Sequence, residues 1–378
     1  MLERRLKEKP SPFDAAQLSE LYLTRGKREG DPKDFETAEA MAKRSLELQP
    51  NANTVRVNLG KLATVKHDFR KAIALIQEQF QEKHLPEAYL VLVTAHLALG
   101  ELREALDAAN AVIERQPSST AYLHRALVLE QTGRDAEASH DFTHAVALES
   151  FNQQEESALL RTLWARFLMR RGEHEGAKLV LDEAARISSK LPVITAFRGE
   201  VALRTGDANG ARKLYEDAFA KGRQVRYLID QARAIEVGGD RPAANELRKR
   251  IEGILRQDLE SGHRLELVEV LVDMGDPAKL DEAVTLAGKE LELRASSEVR
   301  FHLARAMARR ANVNAKDAMK HVQDALATGI HDARLYELAS HLDMKLGNTL
   351  RSAVYAYEAK RLDPQGTGWR KLGIGPPP

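Results

Sequence analysis

A small residue recurs along this 378-residue chain at intervals close to 34 residues, and this repeat constrains the fold more than any other feature. The series comprises Ala38, Ala72, Ala105, Ala138, Ala177, Ala211, Ala244, Ala283, Ala318 and Ser352. Nearly even spacing over most of a chain predicts a stack of similar units, in which each unit packs on its neighbours. The sequence therefore predicts a repeat array in place of the two or three globular domains that length alone would favour.

Glycines and prolines mark the ends of helices within each unit. In six units a glycine stands five residues before the small residue: Gly100, Gly133, Gly172, Gly206, Gly239 and Gly347. Glycine ends a helix because it accepts the left-handed backbone conformation, so the small residue lies on the helix that follows. His67 and Val313 replace this glycine in two units, and prolines end several second helices. The pattern predicts an antiparallel helix pair in each unit.

A second small position precedes the first by twelve residues. Its members are Gly60, Ala126, Ala165, Gly199, Ala232, Ala306 and Ser340. This order of glycine or alanine, then glycine, then alanine, then proline resembles the tetratricopeptide repeat, and it recurs in register over about residues 13–364. The resemblance, to long bacterial-type arrays of about ten repeats, implies an all-α, right-handed superhelical α-solenoid of antiparallel helix pairs.

Three regions are expected along the chain. Residues 1–12 form a charged lead-in, residues 13–364 the solenoid, and residues 365–378 a tail rich in glycine and proline. Two units carry about five extra residues, which we place around residues 149–156 and 257–263 as lengthened turns or helices. In the tail, Trp369, Leu372 and Ile374 either pack over the last helix or belong to a disordered linker.

Composition narrows the classes of partner and compartment. Lys plus Arg number 57 and Asp plus Glu 56, so no global field favours nucleic acid or an anionic membrane. The chain has no cysteine, which excludes disulfides and thiolate metal sites. No apolar run is long enough to cross a membrane, so we expect no direct membrane insertion. The compartment stays open: cytoplasmic as the sequence stands, exported or periplasmic if a signal peptide has been removed.

Motifs for catalysis and for cofactors are missing from the sequence. It contains no phosphate-binding loop, no dinucleotide fingerprint and no nucleophile elbow. His140 and His144 have the four-residue spacing of a helical metal site, but the repeat register places them on the outer surface without a third ligand. We therefore expect no enzyme activity, no cofactor, no metal and no nucleic-acid partner.

The resemblance implies that the first helices of the pairs line a concave groove in which ligands bind. Helical spacing assigns to this groove Val57, Leu90, Thr94, Leu97, Leu123, Leu127, Arg166, Arg170 and Arg233. We expect a peptide or an amphipathic helix to lie along the leucines, with its acidic part at the arginines. The alternative is that the leucines pack between adjacent first helices and never contact solvent.

The resulting functional prediction is a non-catalytic scaffold or adaptor that binds a protein or peptide partner. Two narrower alternatives stay open: an exported envelope adaptor for assembly or secretion of a surface polymer, and a regulatory arm of a larger signalling or transferase protein. Self-association, in which the concave face takes the terminus of another copy, is a further alternative.

Overall fold

The computed structural model describes residues 2–29, 31–50, 55–80, 84–150, 152–257, 263–310 and 314–364. Within these ranges every regular element is an α-helix, and helix α1 (Leu2–Glu8) precedes ten helix pairs. The first helices of the pairs are α2 (Pro12–Glu29), α4 (Val55–Val65), α6 (Pro86–Leu99), α8 (Ser119–Gln131), α10 (Gln154–Arg170), α12 (Pro192–Arg204), α14 (Val225–Val237), α16 (Arg264–Met274), α18 (Ser297–Arg309) and α20 (Ala333–Lys345). The second helices are α3 (Pro32–Leu48), α5 (Phe69–Phe80), α7 (Leu102–Arg115), α9 (Asp135–Ala147), α11 (His174–Ile187), α13 (Ala208–Gly222), α15 (Arg241–Gln257), α17 (Pro277–Leu293), α19 (Ala315–Leu326) and α21 (Thr349–Leu362). The predicted tail at residues 365–378 and Val313 lie outside the described residues.

The recurring small residue lies at the centre of every helix pair. All nine alanines of the series are 0 % exposed, and Ser352 is 2 % exposed. The Ser352 hydroxyl donates a hydrogen bond of 2.8 Å to the carbonyl oxygen of Ser340 on the first helix of its pair. These positions confirm the predicted register, because a larger side chain there would hold the two helices apart.

The second small position is tight for the same reason. A Cβ atom added at Gly199 would lie 3.0 Å from the ring of Tyr215 on α13. At Gly60 it would lie 3.2 Å from both Ile76 and Val91. Small residues on the first helices therefore admit large side chains from the elements packed against them.

The turns between the paired helices adopt the predicted left-handed conformation. Gly100 has a φ of 78° and Gly172 a φ of 81°, which a residue with a Cβ rarely adopts. His67, which stands in the glycine position of its repeat, has a φ of 59° and makes the same turn. The left-handed turn is thus retained where histidine replaces glycine.

The first of the two predicted insertions lengthens both a turn and a helix. Helix α9 ends at Ala147, and α10 begins at Gln154 and extends over 17 residues. The second insertion follows α15, which also has 17 residues, but residues 258–262 lie outside the described part of the chain.

The chain divides into two compact units, with the division inside α8. Unit 1 comprises Met1–Val128 and unit 2 Leu129–Pro378. In unit 1 the predicted charged lead-in is held to α2, because the Arg5 Nε atom lies 3.0 Å from the Asp14 carboxylate. The expected region boundaries at residues 12 and 364 stay predictions.

Unit 2 closes on itself at the turns. A Cβ atom added at Gly329, between α19 and α20, would lie 2.6 Å from the carbonyl oxygen of Thr132, between α8 and α9. A Cβ atom at Gly133 would overlap the carbonyl oxygen of Gly329. Beside this contact the Nδ1 atom of His331 lies 2.7 Å from a carboxylate oxygen of Asp135. The fourth and ninth repeats therefore meet at a seam in which both backbones require glycine.

Candidate binding surface

The leucines predicted for the groove are half-buried in unit 1. Leu90 and Leu97 on α6 pack against a cluster of buried side chains of α6, α7 and α8, and each keeps part of its surface exposed. Leu123 and Leu127 on α8 are also half-buried. Part of each leucine side chain therefore packs between helices, and the rest lies at the surface, so each of the two interpretations applies to part of the side chain.

The other two predicted residues of unit 1 differ sharply in exposure. Thr94 is exposed, and its hydroxyl donates a hydrogen bond of 3.0 Å to the carbonyl oxygen of Leu90. Val57 is 3 % exposed and packs with the core of the second and third repeats. Val57 thus supports the surface from below, whereas Thr94 stands on it.

Two lysines extend this surface into the first and second repeats. Lys61 lies 3.2 Å from a carboxylate oxygen of Glu20. The Lys27 side chain is exposed, yet partial desolvation lowers its pKa, the neighbouring charge of Lys61 lowers it further, and Glu20 opposes the shift. Burial also lowers the pKa of His124, which lies on α8 in the fourth repeat. The positive charge of Lys27 in the first repeat lowers it further.

Lys27 is a functional candidate that the sequence analysis missed. It precedes Lys61 by the 34-residue repeat interval, which was the signal that could have found it. We call the following set the inner face of unit 1: Lys27, Lys61, Leu90, Thr94, Leu97, Leu123, His124 and Leu127.

The predicted arginines of unit 2 are engaged by carboxylates of neighbouring repeats. Arg166 and Arg170 each donate a hydrogen bond of 2.9 Å to Glu130, whose side chain is 4 % exposed. Burial alone would raise the pKa of Glu130, but the two guanidinium groups outweigh burial and lower it. The structure thus brings two of the predicted arginines together on one buried acid.

Arg233 has the same kind of partner on the eighth repeat. It forms an ion pair with Glu269, to which Arg226 also donates bonds of 2.7 and 3.0 Å. Burial opposes ionisation of Glu269, yet Arg226 and Arg233 hold its pKa well below the usual range. Two guanidinium groups therefore again share one buried carboxylate.

Two further groups complete this pattern. Arg334 binds Glu298 at 2.7 Å and Asp332 at 2.6 Å, and Arg204 binds Glu200 at 2.7 Å. We call the set of six arginines and six carboxylates the inner network of unit 2: Arg166, Arg170, Arg204, Arg226, Arg233, Arg334, Glu130, Glu200, Asp230, Glu269, Glu298 and Asp332. Its formal charges cancel.

The repeat family is also visible in a direct comparison. Residues 90–148, which include most of the third helix pair and all of the fourth, match the family model of the tetratricopeptide repeat. The chain thus contains tetratricopeptide repeats. None of the curated proteins compared with the sequence matches it significantly.

Solved structures are similar to this chain at low sequence identity. A monomeric mutant of IFIT1 with m7Gppp-AAAA is 14 % identical, with a TM-score of 0.54 over 92 % of this chain and 80 % of that one. Yeast Tom70 is 14 % identical, with a TM-score of 0.44 over 99 % of this chain and 89 % of that one. A tetratricopeptide repeat protein from Parabacteroides merdae is 16 % identical, with a TM-score of 0.46 over 63 % of this chain and 93 % of that one. At these identities the IFIT1 likeness supports the all-α solenoid fold alone.

The described part of the chain has neither a metal-binding cluster nor a membrane-spanning helix. No group of three or more His, Asp or Glu residues there is arranged to hold a metal ion. The rings of His140 and His144 have centroids 4.1 Å apart and planes tilted by 35°, and the His140 side chain is 66 % exposed. None of the described helices combines the length and the apolar character that crossing a membrane requires.

Proposed function

We propose that this tetratricopeptide repeat protein is a non-catalytic interaction scaffold and that the inner face of unit 1 binds an amphipathic helix or peptide. The supporting observation is the partial exposure of four leucines on adjacent first helices, with exposed Thr94 among them. Apolar side chains that pack on a rigid core and still reach the surface can receive the apolar stripe of a partner helix.

The lysines at one end of this face define the chemistry of the partner. The Lys27 side chain is exposed and so accessible to a ligand, and partial desolvation together with the like charge of Lys61 disfavours its protonated form. A carboxylate of a bound partner would relieve this cost, since an opposite charge favours the protonated amine. We therefore propose an amphipathic segment with its apolar side chains on the leucines and acidic side chains at Lys27 and Lys61.

The arginines of unit 2 are expected to be secondary contacts for the ligand. An acidic ligand at Arg166, Arg170 or Arg233 has to compete with Glu130 or Glu269, which already accept their hydrogen bonds. Exchange of one carboxylate for another adds little binding free energy, because the desolvation of the arginine is already compensated. We expect these arginines to contribute less than the lysines of unit 1.

Selection from a displayed library of random peptides tests this proposal, because the peptides sample every ligand pattern that the surface could accept. The full chain should enrich peptides with apolar residues at helical spacing and with Asp or Glu toward one end. Thr94→Arg should abolish capture, because an arginine at this exposed position covers the leucines without disturbing the core. Lys27→Glu should select against the acidic end and leave the apolar pattern.

Leu179→Glu is the matched control, because Leu179 is 69 % exposed on α11, a second helix of unit 2. It should capture the same peptides as the wild type. Capture that survives Thr94→Arg would contradict the assignment of the site, and a library without an enriched apolar pattern would contradict the choice of ligand class.

A further inference from the structure

The last helix, α21, carries large apolar side chains on its exposed side. Leu350 is 82 % exposed, Val354 55 % and Tyr357 67 %. They stand two residues before, two after and five after Ser352, the small residue of the tenth repeat. Their spacing of four and then three residues places them in one stripe on the helix.

The same three positions are polar or small in the nine preceding repeats. They are exposed or half-buried throughout, and Leu179 is the one large hydrophobic residue among them. The other occupants are Glu36, Ala40, Lys43, Arg70, Ala74, Gln77, Arg103, Asp107, Asn110, Ala136, His140, Thr143, Glu175, Asp182, Asn209, Lys213, Glu216, Pro242, Glu246, Lys249, Asp281, Thr285, Gly288, Lys316, Lys320 and Gln323. These positions face outward even where a further helix pair follows, so the position of α21 in the array does not by itself explain its apolar stripe.

The side of α21 next to this stripe is lined with alanine. The residue four after the small position is buried in each of the nine preceding repeats; in the fourth repeat it is Phe142, which packs on Phe167 of α10 with ring centroids 5.3 Å apart. In α21 this residue is Ala356, which is exposed together with Ala353. Small side chains beside a row of large ones allow a second helix to approach closely.

We propose that a second copy of this chain docks here, with α21 packed antiparallel on α21 about a two-fold axis. The proposal is independent of the partner site, since α21 belongs to unit 2 and the inner face to unit 1. A crossing centred between Ala353 and Val354 sets Leu350 of one copy against Tyr357 of the other, twice. Every residue of the stripe then meets an apolar residue.

The size of this surface predicts a weak dimer. The 14 residues of α21 span about 21 Å along the helix axis. A strip of that length and about 10 Å wide has an area of about 210 Å², roughly a quarter of the area that each partner buries in a standard stable interface. We therefore expect a weak dimer, with a dissociation constant on the order of 100 µM.

The charges beside the stripe give the dimer a recognisable salt dependence. The antiparallel crossing brings Lys345 of one copy toward Lys360 of the other, while Arg361 beside it is paired with Glu358 at 2.9 Å. Repulsion between the two lysines weakens the dimer at low ionic strength, and salt screens it. A foreign acidic helix on the same surface would show the opposite dependence, because salt would weaken its attraction to the lysines.

Sedimentation equilibrium of the full chain tests the proposal. The protein is measured from about 1 to 200 µM, which brackets the expected constant, in about 0.05 and 0.5 M NaCl. The wild type should dimerise with concentration, and more strongly at high salt. Leu350→Glu/Tyr357→Glu should weaken the dimer at least tenfold, because glutamates would be buried against apolar side chains. Leu179→Glu, also at an exposed leucine of a second helix, should match the wild type.

Three results would overturn the proposal: a wild type that stays monomeric over this range, a dimer that the double variant leaves unchanged, or a dimer that salt weakens. Both altered residues are more than half exposed, so the variant should keep the helical circular dichroism of the wild type. If it does not, Leu350→Lys alone provides the same test, through added positive charge that should also weaken the dimer.

Discussion

The inner face of unit 1 and the inner network of unit 2 have different side chains at the same row of first-helix positions. In unit 1 the row continues from Lys61 through Thr94 to Leu127, and in unit 2 it holds Arg166 and Arg233 among other charged residues. The unit 2 residues bind carboxylates of adjacent repeats, whereas Thr94 and Leu127 present an exposed and a half-exposed surface. The same backbone repeat therefore supports two kinds of surface. The side chains of this one row determine whether the surface is exposed to a ligand or occupied by internal ion pairs.

This difference has an energetic consequence for binding. A partner that covers half-exposed leucines gains free energy from apolar area removed from water. A partner at a buried ion pair first has to break charge-assisted hydrogen bonds and then replace them. Binding is therefore expected in unit 1, and the paired charges are expected to order the repeats of unit 2.

The largest expected effect comes from breaking the buried charges of unit 2. Arg248 and Arg305 are at most 1 % exposed, and both contact Asp273. Asp273→Ala should lower the free energy of unfolding by about 3–5 kcal/mol, because two buried cations lose a carboxylate. Urea denaturation followed by circular dichroism measures the loss.

The matched control for this prediction is the exposed pair of Lys221 and Asp217, which lies at 2.6 Å on α13. Asp217→Ala should change the unfolding free energy by less than about 1 kcal/mol. If the two substitutions cost the same, the buried charges of unit 2 do not have the role assigned to them.

The next largest expected effect is that acid destabilises unit 2 more than unit 1. Burial alone would raise the pKa of Glu200, but Arg204 and Arg233 outweigh it and lower the pKa to about 2. A folded-state pKa below the unfolded value stabilises the fold above pH 4.5, and this stability disappears as the pH falls toward 2. For Glu200 the loss is on the order of 3 kcal/mol.

The same sign holds for Glu130, Glu269, Glu298 and Asp332, all in unit 2, whose pKa values are also lowered. In unit 1, Glu39 has a pKa of about 2, chiefly through its hydrogen bonds to Lys43 and Lys66, and the pKa values of Asp34 and Glu101 are also lowered, so fewer carboxyls contribute there. Hydrogen exchange at pH 6 and pH 3 should therefore show a larger loss of protection in unit 2. Equal loss in both units would break the comparison.

The seam of unit 2 predicts a third, intermediate effect. Gly133 and Gly347 both have a left-handed backbone, with φ of 67° and 78°. A Cβ atom at Gly347 meets nothing within 4 Å, whereas one at Gly133 overlaps the backbone of Gly329. Gly347→Ala should cost about 1–2 kcal/mol through backbone strain alone.

Gly133→Ala should cost about 1–3 kcal/mol more than Gly347→Ala, because the fourth and ninth repeats have to separate. Thermal unfolding gives the difference, and hydrogen exchange at residues 132–135 and 328–331 locates it. Identical melting temperatures for the two variants would show that the seam does not contribute to stability.

The smallest expected difference between the units is in the stability lost when a helix pair is overpacked. Ala105 in unit 1 and Ala211 in unit 2 are both 0 % exposed at the centre of a helix pair. Ala105→Leu and Ala211→Leu should each destabilise the protein by about 1–3 kcal/mol through overpacking. Exposed Ala136→Leu should change stability by less than about 0.5 kcal/mol. A large difference between the first two would mean that the units do not share one packing rule.

Much of the scaffold was predictable from the sequence, because it depends on local rules that recur in every repeat. The small residues, the left-handed turns and the pairing of helices follow from the period itself. The internal pairing of the predicted arginines had a signal that was not used: Arg166, Arg233 and Arg334 each lie 36 residues from their acid in the chain.

Other features have no such signal in the sequence. The seam joins Asp135 to His331 across 196 residues, and it depends on curvature accumulated over several repeats. The burial of Val57 depends on how far α4 is covered by its neighbours, which a helical-row assignment does not include. The half-burial of the leucines likewise results from packing distances between first helices.

Isothermal titration of a display-selected peptide into three full-length proteins tests the central claim most directly: the wild type, Thr94→Arg in unit 1 and Arg170→Ala in unit 2. The account predicts that Thr94→Arg abolishes binding. It also predicts that Arg170→Ala keeps the wild-type affinity within about threefold, since Arg166 still pairs with Glu130. Loss of binding in Arg170→Ala with wild-type affinity in Thr94→Arg would contradict it and assign the site to the charged repeats of unit 2.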